Sequence, residues 1–124
     1  QIRTILGRIC HFDLWEPTKW GVHKALPRED AVRKYGSSLK RAFIYKALNK
    51  LIQGSAADQT KKAMIEVHKE GIVPHIQVHD ELNVSIVDDL MRDKVKEIME
   101  NCIELEVPSK VDAKEGTSWG KIKK

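Results

Sequence analysis

Within residues 72–87, apolar and polar residues alternate over 76–78 and again over 82–86, a pattern that predicts a β-hairpin. The first arm has apolar residues at Ile76 and Val78, and the second arm has them at Leu82 and Val84. A period of two is typical of strands that bury one face. We therefore predict two antiparallel strands joined by a tight turn.

The turn of this hairpin depends on which residues pair across it. Pairing Val78 with Leu82 keeps the apolar residues of both arms on one face. That register leaves a three-residue tip of His79, Asp80 and Glu81, and we predict this arrangement. A two-residue tip would put the two arms out of phase unless a β-bulge compensates.

Over residues 37–71 the period changes to that of a helix. We predict one long helix over 38–70, with Ser37 or Ser38 as its N-cap and Gly71 just after its C-terminus. Its apolar positions fall in two rows, which are Leu39, Phe43, Ala47 and Leu51, and Ile44, Leu48 and Ile52. Gly54 interrupts the helix at a cost of about 1 kcal/mol relative to Ala.

The segment before this helix is predicted from shorter patterns. Residues 1–36 begin with a strand pair over 2–14 that turns at Gly7, and they continue as an irregular surface excursion over 15–36. Within that excursion, residues 29–35 favour a short helix.

The segment after the hairpin completes the fold class. Residues 88–124 are predicted to form a second helix over 88–105 and a short strand over 111–113. Asp88 and Asp89 suit the positive N-terminal end of that helix. Hairpins rather than βαβ units dominate the order of elements, so we predict an α+β fold with an antiparallel sheet.

Composition and charge narrow the class of protein. The chain has 124 residues, of which 41% are hydrophobic and 32% are charged, an ordinary balance for one domain or part of one. No apolar run approaches the roughly 20 residues that a membrane helix needs, so we expect no membrane partner. The net charge of +4 permits nucleic-acid binding without requiring it.

Two further features bear on the cellular setting. The chain begins with Gln1 rather than Met and has no secretory leader, so we expect a fragment or a processed product that works in the cytoplasm. Cys10 and Cys102 lie far apart and form no metal motif. Two reduced thiols are the simpler interpretation, and a disulfide stays open.

The predicted hairpin tip carries residues that are unusual for a turn. Tight hairpin turns favour Gly-containing pairs, whereas this tip offers His79, Asp80 and Glu81. Carboxylate oxygens are natural ligands of Mg²⁺, and a hairpin holds ligands more precisely than a loose loop does. A metal site is therefore one interpretation, and a solvated polar turn is the other, because Asp also suits turns.

The predicted long helix carries two amides on one face. Asn49 and Gln53 are four residues apart and are therefore neighbours on the helix surface. Small residues follow at Gly54, Ala56 and Ala57. Amide NH₂ groups can donate to the acceptors that every base pair presents in the minor groove. Minor-groove contact is one interpretation, and an exposed polar stripe beside a helix-packing contact is the other.

Both segments resemble one known family. The runs NKLIQGSAAD at 49–58 and QVHDE at 77–81 are similar to the C-terminal palm of family A DNA polymerases, the group of bacterial DNA polymerase I and many phage replicases. Residues 77–81 resemble motif C of that family, and residues 49–58 resemble the helix before it. The strand pair around 4–8 and the ending around 116–119 are also similar. The resemblance covers nearly the whole chain except 15–36.

The resemblance implies roles for five residues. Asp80 would be the motif C metal ligand, Glu81 its acidic neighbour, and His79 a contact to the primer end. Asn49 and Gln53 would contact the minor groove of the primer–template near the new base pair. The implied activity is template-directed addition of deoxynucleotides to a primer 3′-hydroxyl, with two Mg²⁺ ions bound between carboxylates.

The chain also departs from the family pattern. Family members commonly carry Arg or His four residues before the Asn, whereas this chain has Tyr45, with Arg41 one turn back on the predicted helix. Both are candidates for DNA contact. The motif A aspartate and the nucleotide-binding fingers do not appear in the chain, so the resemblance implies that an N-terminal polymerase segment supplies them.

These expectations define one favoured function and two alternatives. We expect a palm segment of a DNA polymerase from a bacterium or a phage-infected cell, either as a fragment or as one product of a split gene. Its partners would be primer–template DNA, deoxynucleoside triphosphates and the N-terminal segment. The alternatives are a non-catalytic DNA-binding module with a palm-like surface and an unrelated small α+β protein with an acidic turn.

Overall fold

The computed structural model describes residues 1–21 and 24–122. The chain divides into two units, Gln1–Ser55 and Ala56–Lys124, and the division falls inside its longest helix. In the described ranges, no helix combines the length and apolar character that crossing a membrane requires.

The first unit opens with the predicted strand pair. Strands β1 (Ile2–Arg3) and β2 (Ile9–Cys10) pair antiparallel. Gly7 has a φ of 84° in the connecting turn, a left-handed conformation that costs glycine little because it lacks a Cβ. The strand pair is confirmed, although each strand has only two residues.

A three-stranded antiparallel sheet follows, in the order β4-β3-β5. Its strands are β3 (Leu14–Pro17), β4 (Leu26–Pro27) and β5 (Leu39–Arg41), and helix α1 (Arg28–Tyr35) connects β4 to β5. The short helix is confirmed. The prediction of an irregular excursion over 15–36 is wrong, because strands of two to four residues are too short to show a period.

The long helix begins later than predicted. Helix α2 runs over Ala47–Lys69 and is preceded by a 3₁₀ turn at Ile44–Lys46. The predicted start at Ser37 or Ser38 is wrong because the next residues pair with β3 in the sheet. Phe43, with a φ of 62°, then breaks any continuous helical path.

The C-terminus of α2 confirms the prediction made for Gly71. Gly71 has a φ of 79°, and its N–H donates to the His68 carbonyl at 3.0 Å. The N–H of Ile72 reaches the Val67 carbonyl at 3.3 Å. These two bonds form a Schellman motif, which satisfies carbonyls that the helix end would otherwise leave unpaired.

The second unit packs a hairpin and a helix on the end of α2. Strands β6 (Pro74–Val78) and β7 (Glu81–Val84) pair antiparallel, and helix α3 runs over Asp89–Asn101. Asp88 caps α3 by accepting the Met91 N–H at 2.8 Å. The buried core consists of Val67, Ile72 and Val95, with Val84, Met91, Ile98 and Met99 packed against it.

The register of the hairpin differs from the predicted one. Val78 pairs with Glu81, so the tip has two residues, and the predicted pairing with Leu82 is wrong. A register shift between Pro74 and Ile76 marks a bulge. The bulge lies farther from the tip than Ile76 and Val78, so it does not bring these two residues into phase with the second arm.

The two-residue tip puts the apolar residues of the two arms on opposite faces of the hairpin. Val84 packs on the buried core, whereas Ile76 and Val78 stay 38% and 39% exposed. Ile76 lies opposite Asn83, and Val78 lies opposite Glu81. The expectation that both arms bury one common face is therefore wrong, because the core of this unit uses only the second arm.

The chain continues after α3 without the strand predicted over 111–113. That prediction is wrong because side chains bind this stretch in place of a neighbouring strand. The Val111 N–H donates to Glu100 Oε1 at 2.8 Å, and Gln59 Nε2 donates to Ser109 Oγ at 3.0 Å. In the described ranges the class is α+β, with antiparallel strands in three small sheets.

Candidate functional site

The tip of the β6–β7 hairpin is a two-residue turn of His79 and Asp80. His79 has a φ of 53°, in the left-handed region where His is several-fold enriched over most non-glycine residues. Gln77 Nε2 donates a hydrogen bond to the His79 carbonyl. The strand therefore supports its own tip, and the turn is closed without glycine.

Asp80 and Glu81 are exposed neighbours at this tip. Glu81 Oε1 accepts a hydrogen bond from Asn83 Nδ2 at 3.1 Å, a neutral donor that leaves the charge uncompensated. Neither carboxylate forms an ion pair with a described Lys or Arg. Two like charges held side by side favour a cation between them.

The chemistry of these donors suits a hard cation. Carboxylate oxygens are the ligands that Mg²⁺ takes from proteins, together with water and substrate phosphates. No group of three or more His, Cys, Asp or Glu side chains able to hold a metal occurs within residues 1–21 and 24–122. Asp80 and Glu81 thus fit part of a magnesium site, whose remaining ligands would come from outside this hairpin.

The two amides lie on the first part of α2, within the first unit. Asn49 and Gln53 are exposed, and their side chains form no hydrogen bond to another described residue. Their spacing puts them on one helix face. Four donor hydrogens are therefore presented together to solvent.

The small residues next to these amides have a packing role. A Cβ added to Gly54 would lie 2.9 Å from Thr4 Cγ2, closer than side chains tolerate. Arg8 Nη2 donates to the Gly54 carbonyl at 2.9 Å, and the Ile5 N–H donates to Ser55 Oγ at 3.1 Å. The β1–β2 turn therefore sits directly on the helix at Gly54, which explains a glycine in the helix interior.

The two remaining DNA-contact candidates lie outside α2. Arg41 is in β5, so its predicted place one helical turn before Tyr45 is wrong. Its Nη1 donates to the Phe12 carbonyl at 2.8 Å and lies 3.9 Å from Asp13. Tyr45 belongs to the 3₁₀ turn and is exposed, with Lys46 Nζ 5.6 Å from its ring centroid. Arg41 is thus engaged within its own unit, whereas Tyr45 is accessible.

One arrangement was missed by the sequence analysis. The Trp15 ring carries two guanidinium groups, with Arg28 at 5.8 Å and Arg41 at 4.9 Å from its centroid. Such contacts form because the face of an indole ring is electron-rich. Arg28 and Arg41 lie 13 and 26 residues after Trp15 in the sequence, so no local pattern indicated these contacts.

The two site elements belong to different units. The structure brings His79, Asp80 and Glu81 together at one turn of the second unit, and it brings Asn49 and Gln53 together on one helix face of the first. Comparisons with known proteins give these elements a context.

The family model for DNA polymerase family A matches residues 2–121 of the chain. The chain belongs to DNA polymerase family A. In the structure, Cys10 and Cys102 are free thiols. No solved structure gives a significant match.

Named relatives include phage and bacterial polymerases. A DNA-directed DNA polymerase of Pseudomonas phage M6 is 50% identical over 78 residues, which cover 63% of this chain and 12% of that protein. DNA polymerase I of Caldicellulosiruptor bescii is 42% identical over 88 residues, covering 62% and 10%. DNA polymerase I of Bacillus subtilis is 43% identical over 86 residues, covering 59% and 9%. The chain thus spans about a tenth of the length of these relatives.

Proposed function

We propose that the chain forms the C-terminal part of the palm of a DNA-directed DNA polymerase in a bacterium or a phage-infected cell. The reaction is template-directed addition of deoxynucleotides to a primer 3′-hydroxyl. Support comes from family membership over residues 2–121 and from relatives that are named as DNA polymerases. The observation that carries the proposal is the exposed Asp80–Glu81 pair on a closed hairpin turn in a chain of this family.

Asp80 is the motif C metal ligand in this proposal, and Glu81 is its acidic neighbour. Both present carboxylate oxygens to solvent at a turn that Gln77 braces, so little side-chain or backbone reorganisation precedes metal binding. Magnesium, when bound, supplies Lewis-acid activation of the primer 3′-hydroxyl and neutralises charge on the triphosphate. His79, next to Asp80, contacts the primer end.

Asn49 and Gln53 bind the minor groove of the primer–template next to the new base pair. Each amide NH₂ donates to purine N3 or pyrimidine O2, acceptors that every base pair presents. Donors of this kind test the shape of a pair without selecting its sequence, which a template-directed enzyme requires. Tyr45, exposed beside them in sequence, takes the place of a basic residue and stacks or donates through its hydroxyl.

The chain acts together with an N-terminal segment that supplies the motif A aspartate and the fingers. A two-metal site needs carboxylates from more than one element, and the described hairpin offers two adjacent ones. Apolar side chains also stay exposed, including Leu48 at 68% and Ile52 at 56% on α2. Exposed apolar rows of this kind mark surfaces that another segment covers.

The test uses a polymerase assembled from this chain and the N-terminal part of the phage relative. Asp80→Ala is expected to lower nucleotide incorporation by about a hundredfold or more, because a metal ligand contributes several kcal/mol to the transition state. Primer–template binding, measured separately by fluorescence anisotropy, should persist. Asp112→Ala, which removes an exposed carboxylate elsewhere, is the matched control. Incorporation at the control rate by Asp80→Ala would exclude the metal-ligand role.

A further inference from the structure

The net charge of the chain is concentrated in one segment. Residues 14–41, which include the three-stranded sheet and α1, contain seven Lys and Arg against three Asp and Glu. Their net charge of +4 equals that of the whole chain, so the remaining residues are balanced. We call residues 14–41 the basic sheet unit.

Several cations of the basic sheet unit have no carboxylate partner. Among the residues that the structure describes, ion pairs within 4.0 Å hold Arg33, Lys40 and Arg41 of this unit. Their nitrogens lie 3.7, 3.6 and 3.9 Å from Asp30, Glu16 and Asp13. The four cations without such a pair to any described residue are Lys19, Lys24, Arg28 and Lys34. Their charge is available to a partner, because no neighbouring anion neutralises it.

Aromatic rings lie close to two of these cations, Arg28 and Lys34. Arg28 lies over the Trp15 ring. The Tyr35 hydroxyl donates to the Lys24 carbonyl at 3.3 Å, and Lys34 Nζ lies 5.5 Å from the centroid of the same Tyr35 ring. Tyr35 therefore fixes the backbone at Lys24 and lies beside the ammonium group of Lys34, so both lysines belong to the part of the unit around β4 and α1.

Trp20 is the second unusual feature of this unit. Its side chain is fully exposed, at 102% of the reference accessibility, and indole is a side chain that folded proteins normally bury. The chain is anchored just before it, since Thr18 Oγ1 and Ser38 Oγ lie 2.7 Å apart and the Thr18 N–H donates to the Ser38 carbonyl at 3.2 Å. Lys19 and Trp20 thus project from a fixed point of the sheet.

We propose that the basic sheet unit binds single-stranded DNA, with Lys19, Lys24 and Lys34 on phosphates and Trp20 stacked on a base. Cations beside an exposed aromatic ring are the combination that single-strand binders use, because every base has a face on which an indole stacks. The proposal rests on the proposed function, since a template-directed polymerase handles an unpaired template strand. It adds a second contact to DNA, separate from the minor-groove amides.

The first experiment measures the charge contribution. The full 124-residue chain is titrated with a fluorescent oligothymidylate by anisotropy across a series of salt concentrations. Three lysines on phosphates contribute about 2 to the slope of log affinity against log salt, at about 0.7 per contact for single strands. The triple variant Lys19→Gln, Lys24→Gln, Lys34→Gln should lose that part of the slope. The control removes three exposed lysines of the second unit, by Lys110→Gln, Lys114→Gln and Lys121→Gln, and should retain it.

The second experiment measures stacking. Trp20→Ala should weaken oligothymidylate binding by about 5- to 100-fold, the range for one stacked base. Trp20→Phe should recover most of the loss, since a phenyl ring also stacks. Trp119→Ala removes a partly exposed Trp from the second unit and should leave affinity unchanged. Circular dichroism on each variant confirms that the fold is retained.

Three outcomes would overturn the proposal. The first is an equal loss of salt slope in the test and control triple variants, and the second is an unchanged oligothymidylate affinity of Trp20→Ala. The third is an equal loss of affinity for a DNA duplex of the same length, which would indicate a general attraction to the phosphate backbone. The assay needs neither metal nor extension. A chain that binds oligothymidylate normally while Asp80→Ala retains incorporation would contradict the proposed function alone, and the reverse result would contradict this inference alone.

Discussion

His79 occupies a backbone conformation that decides where the acidic pair is held. Its φ of 53° lies in the left-handed region, which β-branched residues strongly disfavour. We expect His79→Val to lower the free energy of unfolding by about 1–2 kcal/mol, whereas His79→Gly should not. Urea unfolding measures both. Arg3→Val, at an exposed position of the extended strand β1 where a β-branched residue fits, is the control, and a loss there equal to that of His79→Val would contradict the explanation.

Gly54 makes a testable packing contact with Thr4. An added Cβ would meet Thr4 Cγ2 at 2.9 Å, and overpacking of this kind costs about 1–3 kcal/mol. The higher helix propensity of Ala returns about 1 kcal/mol, so Gly54→Ala should reduce stability by about 1 kcal/mol net.

The partner of that contact offers a double-mutant cycle. Thr4→Ser deletes the clashing methyl group but keeps the hydroxyl that accepts the Arg8 N–H at 3.1 Å. The cost of Gly54→Ala should be smaller in the Thr4→Ser background, as measured by urea unfolding. An unchanged cost in that background would show that the clash is not with Thr4.

Cys102 introduces a dependence of stability on alkaline pH. Burial raises the pKa of its thiol above the ordinary value of 9.0, because desolvation disfavours the thiolate. The unfolded thiol therefore ionises first as pH rises. The contribution of the Cys102 thiol to the free energy of unfolding is therefore complete below the pKa of the unfolded state. It is lost as the pH rises from that value through the pKa of the folded state.

This pH dependence is measured against a variant without the thiol. The stability of the wild-type chain relative to Cys102→Ala should be constant up to about pH 8 and should fall above it, by about 1.4 kcal/mol for each unit by which the pKa values differ. Chemical unfolding across that range provides the values. A rise of the relative stability with pH would have the wrong sign for a buried thiol.

At the scale of elements, side-chain capping fixes where α3 begins. Asp88 Oδ1 accepts the Met91 N–H at 2.8 Å, and loss of such a cap costs about 1 kcal/mol. Asp88→Ala should therefore reduce the free energy of unfolding by about that amount, while Asp88→Asn, which keeps the accepting oxygen, should retain most of it. A large loss in the Asn variant would assign the effect to charge at the helix N-terminus instead.

The sequence predicted elements well where local rules act alone. The end of α2 at Gly71 and the start of α3 at Asp88 depend on glycine and on a cap, both of which are readable from nearby residues. The start of α2 was wrong because β5 takes residues 39–41 into a sheet with β3. β5 has only three residues and pairs with residues more than 20 positions away, so no periodic pattern in the sequence indicates it. The pairing with β3, and not the local helical pattern, therefore determines where α2 begins.

At the candidate site too, the sequence predicted the two strands but not how they pair. The alternation correctly placed two strands and put His79 and Asp80 at the turn between them. The register was wrong because the alternation does not fix the length of the turn, and a tip that is one residue shorter exchanges the faces of the two arms relative to each other. The roles of Asp80 and Glu81 were inferred from the resemblance to the family and not from the alternation. Acidic residues are common in turns, so the turn alone does not indicate a metal site, whereas the whole motif together with the preceding helix does.

At the scale of the whole molecule, the two units hold different parts of one proposed function. The amides Asn49 and Gln53 belong to the first unit, and the carboxylates Asp80 and Glu81 belong to the second. Helix α2 is the element that runs through both. A chain that spans about a tenth of its relatives' length is thus proposed to contribute a DNA contact and half of a metal site to a larger enzyme.

That division of labour predicts what the chain does by itself. We expect the 124-residue chain to give no Mg²⁺-dependent extension of a labelled primer on a template, because Asp80 and Glu81 would bind metal without the carboxylate on the opposite side that two-metal catalysis requires. Adding a polymerase N-terminal segment with motif A and the fingers should produce extension. The control adds the same segment with its motif A aspartate replaced by Ala, which should stay inactive. Robust extension by the chain alone would mean that a second carboxylate of this chain completes the site, and failure of every complement while DNA binding persists would favour a non-catalytic DNA-binding module.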